Sequence, residues 1–479
     1  MINFTQWAER PAIRFEHRQF TYQEVMHEVQ VRMHWLKSIK ARTVALLADN
    51  TPDWVFFDLA CQYADIILIP VPLFFTPEQR RYLLASSGCD TLLSDIPLSA
   101  PSFTDSESPF DGIYVQRHAC PAPAQIPQGT SKITFTSGTT GTPKGVCLTT
   151  DVQYKVASSL VSTLRFEQVQ HACILPLATL LENIAGVYAP LMAGGCIWLS
   201  RATTRGFSGA RLSAPDKLPA LLSQLQPETL ILVPELLMLL LGAIRQGWQA
   251  PSSLSFIAVG GAMIAPGLLQ QAQLAGLPVY QGYGLSECVS VTTLNTPSDN
   301  RFTSVGKPLS HNQVSVDNDE LVMRGTLFSG YLNEPETFYP REVRSRDLGH
   351  IDDAGFIHIS GRASNIIVNS YGRNISPEWV EARLLASGLF AQVLVFGEGQ
   401  PELSALLASR HPETGDDSVQ KTVNQINGEL PEYARIGHYH QVPALATTSE
   451  LLTSNGKVRR KVALQYFSHL TQPLTAVAQ

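Results

Sequence analysis

The residues best suited to chemistry lie in a short stretch of hydroxyls, glycines and one lysine. Ile133–Val146 reads ITFTSGTTGTPKGV, in which a β-rich start runs into a polar loop. Glycines let the backbone approach a ligand closely, small hydroxyls donate hydrogen bonds, and a lysine supplies a point charge. We interpret the stretch as a triphosphate-binding loop, with Lys144 at the β- and γ-phosphates. The loop residues that would cradle the phosphates are Thr136, Ser137, Gly138, Thr139, Thr140 and Gly141.

This loop is not a Walker loop, because Lys144 follows Pro143 and precedes Gly145. A polar surface turn is the alternative, since Ser, Thr and Gly are common in loops. The ten residues from Thr136 to Gly145 fit the pattern TSGTTGxPKG. They resemble the signature of the acyl-adenylate-forming (AMP-binding) superfamily, which includes acyl-CoA synthetases, adenylation domains of peptide synthetases and firefly luciferase. The chain looks most like acyl-CoA synthetases of the long-chain fatty acid type, and the resemblance covers nearly its whole length.

Gly282–Glu287, which reads GYGLSE, is similar to the second signature of this family. The resemblance implies that Glu287 ligates Mg2+, a hard cation that a carboxylate suits. It also implies that Ser286 donates to the α-phosphate and that Tyr283, beside Gly284, stacks on adenine. Taken alone, the segment is equally compatible with the start of a helix capped by Ser286.

Two further segments resemble nucleotide contacts of the family. Ala258–Ala262 reads AVGGA, so Gly260, Gly261 and Ala262 would lie against the adenine, although a tight strand-to-helix turn is the alternative. Asp347 would hold both ribose hydroxyls, as an ionised carboxylate can, and Arg362 would be its companion. The family usually has Thr-Gly before this aspartate, whereas this chain has Ser345-Arg346.

The last third of the chain resembles the mobile C-terminal domain of the family. Arg362 is followed two residues later by Ser364, at the hinge position where the family usually has Lys or Asp. Gly372 would lie in the loop beside the acceptor thiol. Ser454–Arg460 reads SNGKVRR, and the resemblance assigns Lys457 to bridge the acid carboxylate and the α-phosphate. A cation there would offset the repulsion between two anions, but a basic surface patch is the alternative.

These assignments imply an AMP-forming acid–thiol ligase that uses ATP, Mg2+ and coenzyme A. A carboxylic acid would attack the α-phosphorus, pyrophosphate would leave, and a thiol would then take the acyl group. We expect a fatty or aryl acid, because the segment from His171 to Gly195 lacks the Asp that, in the resembled peptide-synthetase domains, pairs an α-ammonium. In this segment Thr179 and Leu180 would contact the acid.

Two alternatives stay open at this point, and a third is excluded. The acceptor could be the phosphopantetheine of a carrier protein instead of coenzyme A. The departures at Ser345-Arg346 and Ser364-Asn365 would also fit a non-catalytic nucleotide-binding homologue. A kinase or dehydrogenase would need a Walker loop or a dinucleotide fingerprint, and neither motif is found.

Alternating strands and helices must position these residues. Apolar runs at Thr43–Leu47 and 66–71 predict buried strands, 54–63 predicts a helix, and Thr76-Pro77-Glu78 predicts a helix start. This alternation indicates an α/β fold of layered, largely parallel sheets. The Ser- and Pro-rich segment 100–127 is predicted to be loop-rich, and alternation at 312–324 and 350–359 predicts a small antiparallel subdomain. We place a domain boundary so that 1–361 binds nucleotide and acid and 362–479 forms a small mobile α+β domain.

Composition narrows the class of protein further. The 479 residues are 44% hydrophobic and 16% charged, which is typical of globular chains, and the net charge of −6 gives no basis for nucleic-acid binding. Seven cysteines without a CxxC pair argue against a disulfide framework and a structural zinc site, so we expect a cytoplasmic location. No apolar run reaches the roughly 20 residues of a transmembrane helix, and the oligomeric state is not predicted.

Overall fold

Two large β-sheets form the core of the N-terminal part in the computed structural model. The model describes residues 2–98, 100, 102–119, 121–136, 143–209, 211–443, 451–452 and 458–471. Within this part, the first sheet has nine strands and is parallel in its centre. Their order across the sheet is Lys307–Pro308, Thr293–Leu294, Val279–Tyr283, Phe256–Val259, Thr229–Leu232, Gln170–Ala172, Cys196–Leu199, Pro11–Phe15 and Arg18–Thr21.

The second sheet has eight strands among the described residues and carries the phosphate loop near one edge. Its central strands are parallel and its outer strands antiparallel. All five side chains of Thr43–Leu47 are buried, as expected for a strand covered on both faces. The order is Gly330–Tyr331, Lys144–Leu148, Lys132–Thr136, Ile67–Pro70, Thr43–Leu47, Thr91–Ser94, Tyr114–Arg117 and Thr104–Ser106.

Helices cover both sheets and begin where the sequence provides caps. Thr21 and Thr76 each accept a hydrogen bond from the amide three residues on, and Glu24 and Gln79 return one, so both form capping boxes. The α-helices of the N-terminal part are Tyr22–Ser38, Pro52–Ala64, Pro77–Ser86, Thr150–Leu164, Ala189–Met192, Lys217–Leu225, Pro234–Arg245 and Pro266–Leu274. A π-helix spans Glu182–Tyr188.

Apart from the short hairpin of Phe207–Ser208 and Arg211–Leu212, most of the remaining elements form two smaller units. An antiparallel sheet of Asn312–Asp317, Glu320–Gly325, Val343–Ile351 and Ile357–Arg362 confirms the predicted β-subdomain. Beyond it lies an α+β unit with its own apolar core. Its elements are the strands Ile367–Val368, Asn374–Ile375, Phe390–Phe396, Leu403–Ser409 and Ile436–Gln441, and the helices Pro377–Ala386, Asp416–Glu429, Arg460–Tyr466 and Ser468–Thr471.

The structure confirms most predicted elements and corrects two. The segment 100–127 is not only loop, because Thr104–Ser106 and Tyr114–Arg117 extend the edge of the second sheet. Ser286 does not cap a helix. It is the first residue of a 3-10 turn, Ser286–Cys288, which has no side-chain cap. The six described cysteines are all free and buried. No described helix combines the length and apolarity that crossing a membrane requires.

Candidate functional site

The phosphate loop connects two antiparallel strands of the second sheet. Thr136 ends the first strand and faces Lys144, which begins the second, so the loop starts and ends at one cross-strand pair. Lys144–Leu148 also pairs with the short strand Gly330–Tyr331 on its other side. Residues 137–142, which include the predicted Ser137–Gly141, lie outside the described part. The structure therefore fixes the base of this loop and the position of its lysine.

Lys144 belongs to a group of four residues that we call the phosphate-side cluster: Lys144, Glu287, Tyr331 and Glu334. The Lys144 ammonium lies 2.8 and 3.1 Å from the two carboxylate oxygens of Glu334. The same ammonium lies 4.7 Å from the centre of the Tyr331 ring. The Tyr331 hydroxyl in turn donates a 2.6 Å hydrogen bond to Glu287 Oε1. The two signatures, distant in sequence, therefore meet through Tyr331.

Glu287 has the surroundings that a Mg2+ ligand needs. Its Oε1 is oriented by Tyr331, and its backbone carbonyl accepts from the Phe328 amide at 2.8 Å. Burial and then the Glu287 charge raise the pKa of Tyr331, so this phenol stays a neutral donor to the carboxylate. Mg2+ binds proteins through one or two carboxylates and takes its other ligands from phosphates and water. A single oriented carboxylate that is linked to Lys144 through Tyr331 fits that requirement.

A second group, the ribose-side cluster, consists of Tyr283, Asp347 and Arg362. The Tyr283 hydroxyl donates to Asp347 Oδ2 at 2.7 Å, and Arg362 Nε lies 3.5 Å from Oδ1. Asp347 and Arg362 face each other across adjacent strands. Burial raises the pKa of Asp347, whereas the Tyr283 hydrogen bond and the Arg362 charge oppose that rise. The cluster adjoins the phosphate-side cluster, because Glu287 follows Tyr283 on one turn and its charge acts on Asp347.

Glycines keep the nucleotide side of the site open. A Cβ on Gly284 would lie 1.5 Å from the Ser290 carbonyl oxygen, so only glycine fits where the turn crosses the next segment. A Cβ on Gly260 would meet the Gly282 carbonyl oxygen at 3.1 Å. Gly261 has φ +83° and is exposed together with Ala262. The AVGGA segment thus has no large side chain beside the Tyr283 turn, which suits a planar base.

The predicted acid-binding segment is a buried irregular helix. Thr179 turns its hydroxyl back to the Pro176 carbonyl at 2.7 Å, and Leu180 is buried. The π-helix Glu182–Tyr188 follows directly. Glu182 is fully buried: Oε1 lies 3.1 Å from His171 Nε2, and Oε2 accepts from the Leu175 amide at 3.1 Å. The one carboxylate of this segment is therefore satisfied internally and has no capacity to pair a substrate amine.

The predicted hinge and thiol loop lie on the C-terminal side. Ser364 is exposed in the 3-10 turn Ala363–Asn365, directly after Arg362. Gly372 has φ +69° with open space on its Cα, next to the exposed Tyr371. Lys457 lies outside the described residues, so its predicted approach to the site is neither supported nor opposed by the structure.

Sequence reasoning missed Tyr331 and Glu334, which link the two signatures. Neither belongs to a glycine-rich or hydroxyl-rich motif, and Glu334 is 190 residues from the lysine it pairs with. The Tyr331 side chain reaches Glu287 only because Gly330–Tyr331 joins the edge of the second sheet. The remaining signal was the segment Gly330–Glu334 itself, where an aromatic and an acidic residue lie close together just before a proline.

Comparison with known proteins gives matches along nearly the whole chain. A curated relative, the 2-succinylbenzoate–CoA ligase of Bacillus velezensis, is 27% identical over 82% of this chain and 83% of its own length. The long-chain-fatty-acid–CoA ligase FadD15 of Mycobacterium bovis is 32% identical, but over only 44% of this chain and 40% of its own. The fold is that of the crystal structure of the anthranilate CoA ligase AuaEII in complex with anthranoyl-AMP, with TM-score 0.81, 19% identity, and coverage of 97% of this chain and 95% of that one.

Two family profiles match the chain in succession. Residues 3–332 match the family described as AMP-binding enzyme. Residues 364–474 match the family described as AMP-binding enzyme C-terminal domain. The first match alone spans more than half of the chain, and it includes the phosphate-side cluster up to Tyr331. The chain therefore belongs to the AMP-binding enzyme family.

Proposed function

We propose that this chain is an acid–thiol ligase that activates an aryl carboxylic acid with ATP and transfers the acyl group to coenzyme A. The enzyme forms an acyl-adenylate and pyrophosphate first, and a thioester and AMP second. The observation that carries the proposal is the meeting of Lys144 and Glu287 through Tyr331, beside the Tyr283–Asp347 pair. A cation, a metal-binding carboxylate and a ribose acceptor in one place are what adenylate formation needs.

The predicted site residues would act in the two steps as follows. Lys144 binds the β- and γ-phosphates, and Asp347 accepts from the ribose hydroxyls. Glu287 would hold Mg2+, which when bound neutralises charge on the phosphates. Lys457 would approach the acid and the α-phosphate from the C-terminal domain, and rotation about Ser364 would then bring Gly372 toward the thiol. The boundary between 361 and 362 remains our proposal for where this movement begins.

Two arguments support an aryl acid: the relatives favour aryl over fatty acids, and the buried Glu182 argues against α-amino acids. Relatives that align with most of this chain are a 2-succinylbenzoate ligase and an anthranilate ligase, whereas the long-chain relative aligns with less than half. In the chain itself, Glu182 is held by His171 and the Leu175 amide, so nothing in this segment pairs an α-ammonium. Thr179 and Leu180 remain our proposed acid contacts. Carrier-protein phosphopantetheine is the competing acceptor.

Pyrophosphate release across a panel of fatty, aryl and amino acids tests the proposal, with coenzyme A present and absent. We expect continuous release with aryl acids only when coenzyme A is present. Absence of release with every acid would support the non-catalytic homologue and overturn the proposal. Release with aryl acids that coenzyme A does not accelerate would favour a carrier protein as acceptor and refute the coenzyme A assignment.

Lys457→Ala separates the two steps. This variant should lose most adenylate formation and still transfer the acyl group from a supplied acyl-adenylate to coenzyme A, because the second step does not use the lysine. Lys461→Ala, an exposed neighbour, is the matched control and should behave as wild type. Normal adenylate formation by Lys457→Ala would remove the lysine from the mechanism.

A further inference from the structure

The strand Val343–Ile351 contains a bulge at the ribose-side cluster. Arg344 pairs with Val322 and Leu348 pairs with Glu320, so the three residues 345–347 lie opposite Leu321 alone. Ser345 is buried, and its hydroxyl donates to the Leu321 carbonyl at 2.8 Å and accepts from the Asp347 amide at 3.0 Å. Bulges beside active sites re-aim side chains. Here the bulge turns Asp347 toward Tyr283.

Arg346 lies at the centre of the bulge in a conformation that favours glycine. Its φ is +61°, and its amide donates to Glu320 Oε1 at 2.8 Å, so both flanks of the bulge are anchored. A non-glycine residue in the left-handed region is disfavoured by about 1–2 kcal/mol. The bulge would form with glycine at lower conformational cost, so backbone geometry does not explain the arginine. An explanation must come from its side chain.

The Arg346 side chain is exposed, and it leaves the bulge directly beside Asp347 in sequence. Among the described residues no carboxylate lies within 4.0 Å of its guanidinium, whereas Arg344, two residues earlier, is paired with Asp317 and Glu320. Arg346 therefore presents an exposed charge without an ion-pair partner among the described residues, next to Asp347 of the ribose-side cluster.

We propose that Arg346 binds a phosphate oxygen of ATP and acts as a second cation beside Lys144. This inference rests on the proposed function and adds a residue to the phosphate site. A guanidinium presents a planar fork of donors that matches two phosphate oxygens, and charge-assisted bonds of this kind are the strongest hydrogen bonds in proteins. An unpaired cation beside the ribose position meets the triphosphate when the nucleotide binds.

Direct binding titrations of ATP, inorganic pyrophosphate and adenosine test this proposal without any acid substrate. Arg346→Gly and Arg346→Asn remove the charge and keep a residue that tolerates the left-handed backbone. We expect both to weaken ATP and pyrophosphate binding by about five- to twentyfold, in the range of a partly exposed charged hydrogen bond. Adenosine binding should be unchanged, Arg346→Lys should retain most of the affinity, and Arg344→Gln is the control that should match wild type.

Two outcomes would overturn the proposal. If Arg346→Gly and Arg346→Asn bind ATP and pyrophosphate within twofold of wild type, Arg346 does not contact the phosphates. If adenosine binding weakens as much as ATP binding, Arg346 only positions Asp347. Failure of the proposed function is a separate result: it would appear as absence of adenylate with every acid, while the ATP affinities of the variants still report on Arg346.

Discussion

The pairing of Lys144 with Glu334 predicts that removing a carboxylate will tighten ATP binding. Both oxygens of Glu334 lie within 3.1 Å of the ammonium that is proposed to bind the phosphates. Glu334 therefore occupies Lys144 as a substitute anion, and the nucleotide has to displace it. Glu334→Gln keeps the shape of the side chain and removes its charge. We expect ATP to bind this variant more tightly than wild type.

The size of the effect follows from the exposure of the pair. The side chains of Lys144 and Glu334 are 45% and 34% exposed, so solvent screens their attraction. Exposed ion pairs contribute about 0.2–1 kcal/mol. Removing this competition should lower the dissociation constant for ATP by about 1.4- to 5-fold at 25 °C, since about 1.4 kcal/mol corresponds to a tenfold change. The gain should shrink as salt rises, because both side chains are solvent-exposed and salt weakens the attraction between exposed charges.

Isothermal titration with ATP at low and high salt measures this effect. Glu336→Gln is the matched control, because Glu336 lies on the 3-10 turn Pro335–Thr337 that directly follows Glu334, is exposed and has no ion pair with a described residue. It should leave the affinity within experimental error. Weaker ATP binding in Glu334→Gln would show that Glu334 positions Lys144 for the nucleotide and does not compete with it. Equal tightening in both variants would show a general charge effect, and either result would refute the reasoning.

Three further predictions concern ATP binding and the stability of the fold. Gly284→Ala should abolish ATP binding in a thermal-shift assay and lower the melting temperature, because its Cβ would overlap the Ser290 carbonyl at 1.5 Å. Asp347→Asn should weaken ATP binding by roughly tenfold or more, as loss of a charged hydrogen bond does. Burial raises the pKa of Asp347, so the charged form of this residue opposes folding above that pKa. Asp347→Asn should therefore melt at no lower temperature than wild type at pH 7. The difference in melting temperature should disappear toward acid pH, where the wild-type carboxyl is protonated. Lys132→Met should lower the free energy of unfolding by about 3–5 kcal/mol in urea titrations, because it removes the cation that lies 2.8 Å from the buried Asp58 carboxylate.

Sequence patterns predicted a helix or strand well where neighbouring residues alone determine it. The buried run Thr43–Leu47 and the helix start at Thr76 are confirmed because hydrophobicity and capping act over a few residues. The strands Thr104–Ser106 and Tyr114–Arg117 were missed, since the first is exposed throughout and the second buries only its two middle residues, so neither shows apolar alternation. Their pairing with the rest of the sheet is a tertiary effect that no window of sequence contains.

In the site, too, the sequence predicted some features and not others. Motif resemblance selected Lys144, Glu287 and Asp347, and the structure places all three in adjoining clusters, although their roles remain predictions. The resemblance did not indicate that Tyr331 bonds Glu287 or that Tyr283 bonds Asp347. Those contacts join residues 44 and 64 positions apart, and they depend on sheet register, which the sequence alone did not specify.

The cross-strand pair Asp347–Arg362 has a consequence for how the enzyme changes state. Arg362 is the last residue of its strand, and the proposed hinge follows in the next turn. If Asp347 holds the ribose as proposed, the end of the moving domain that adjoins the hinge would be tied to the sugar of the nucleotide. Loss of AMP after thiolation would release that tie. Departure of the product and return of the C-terminal domain to its starting orientation would then be one event. The enzyme without nucleotide would be the form in which the domain is most free to reorient.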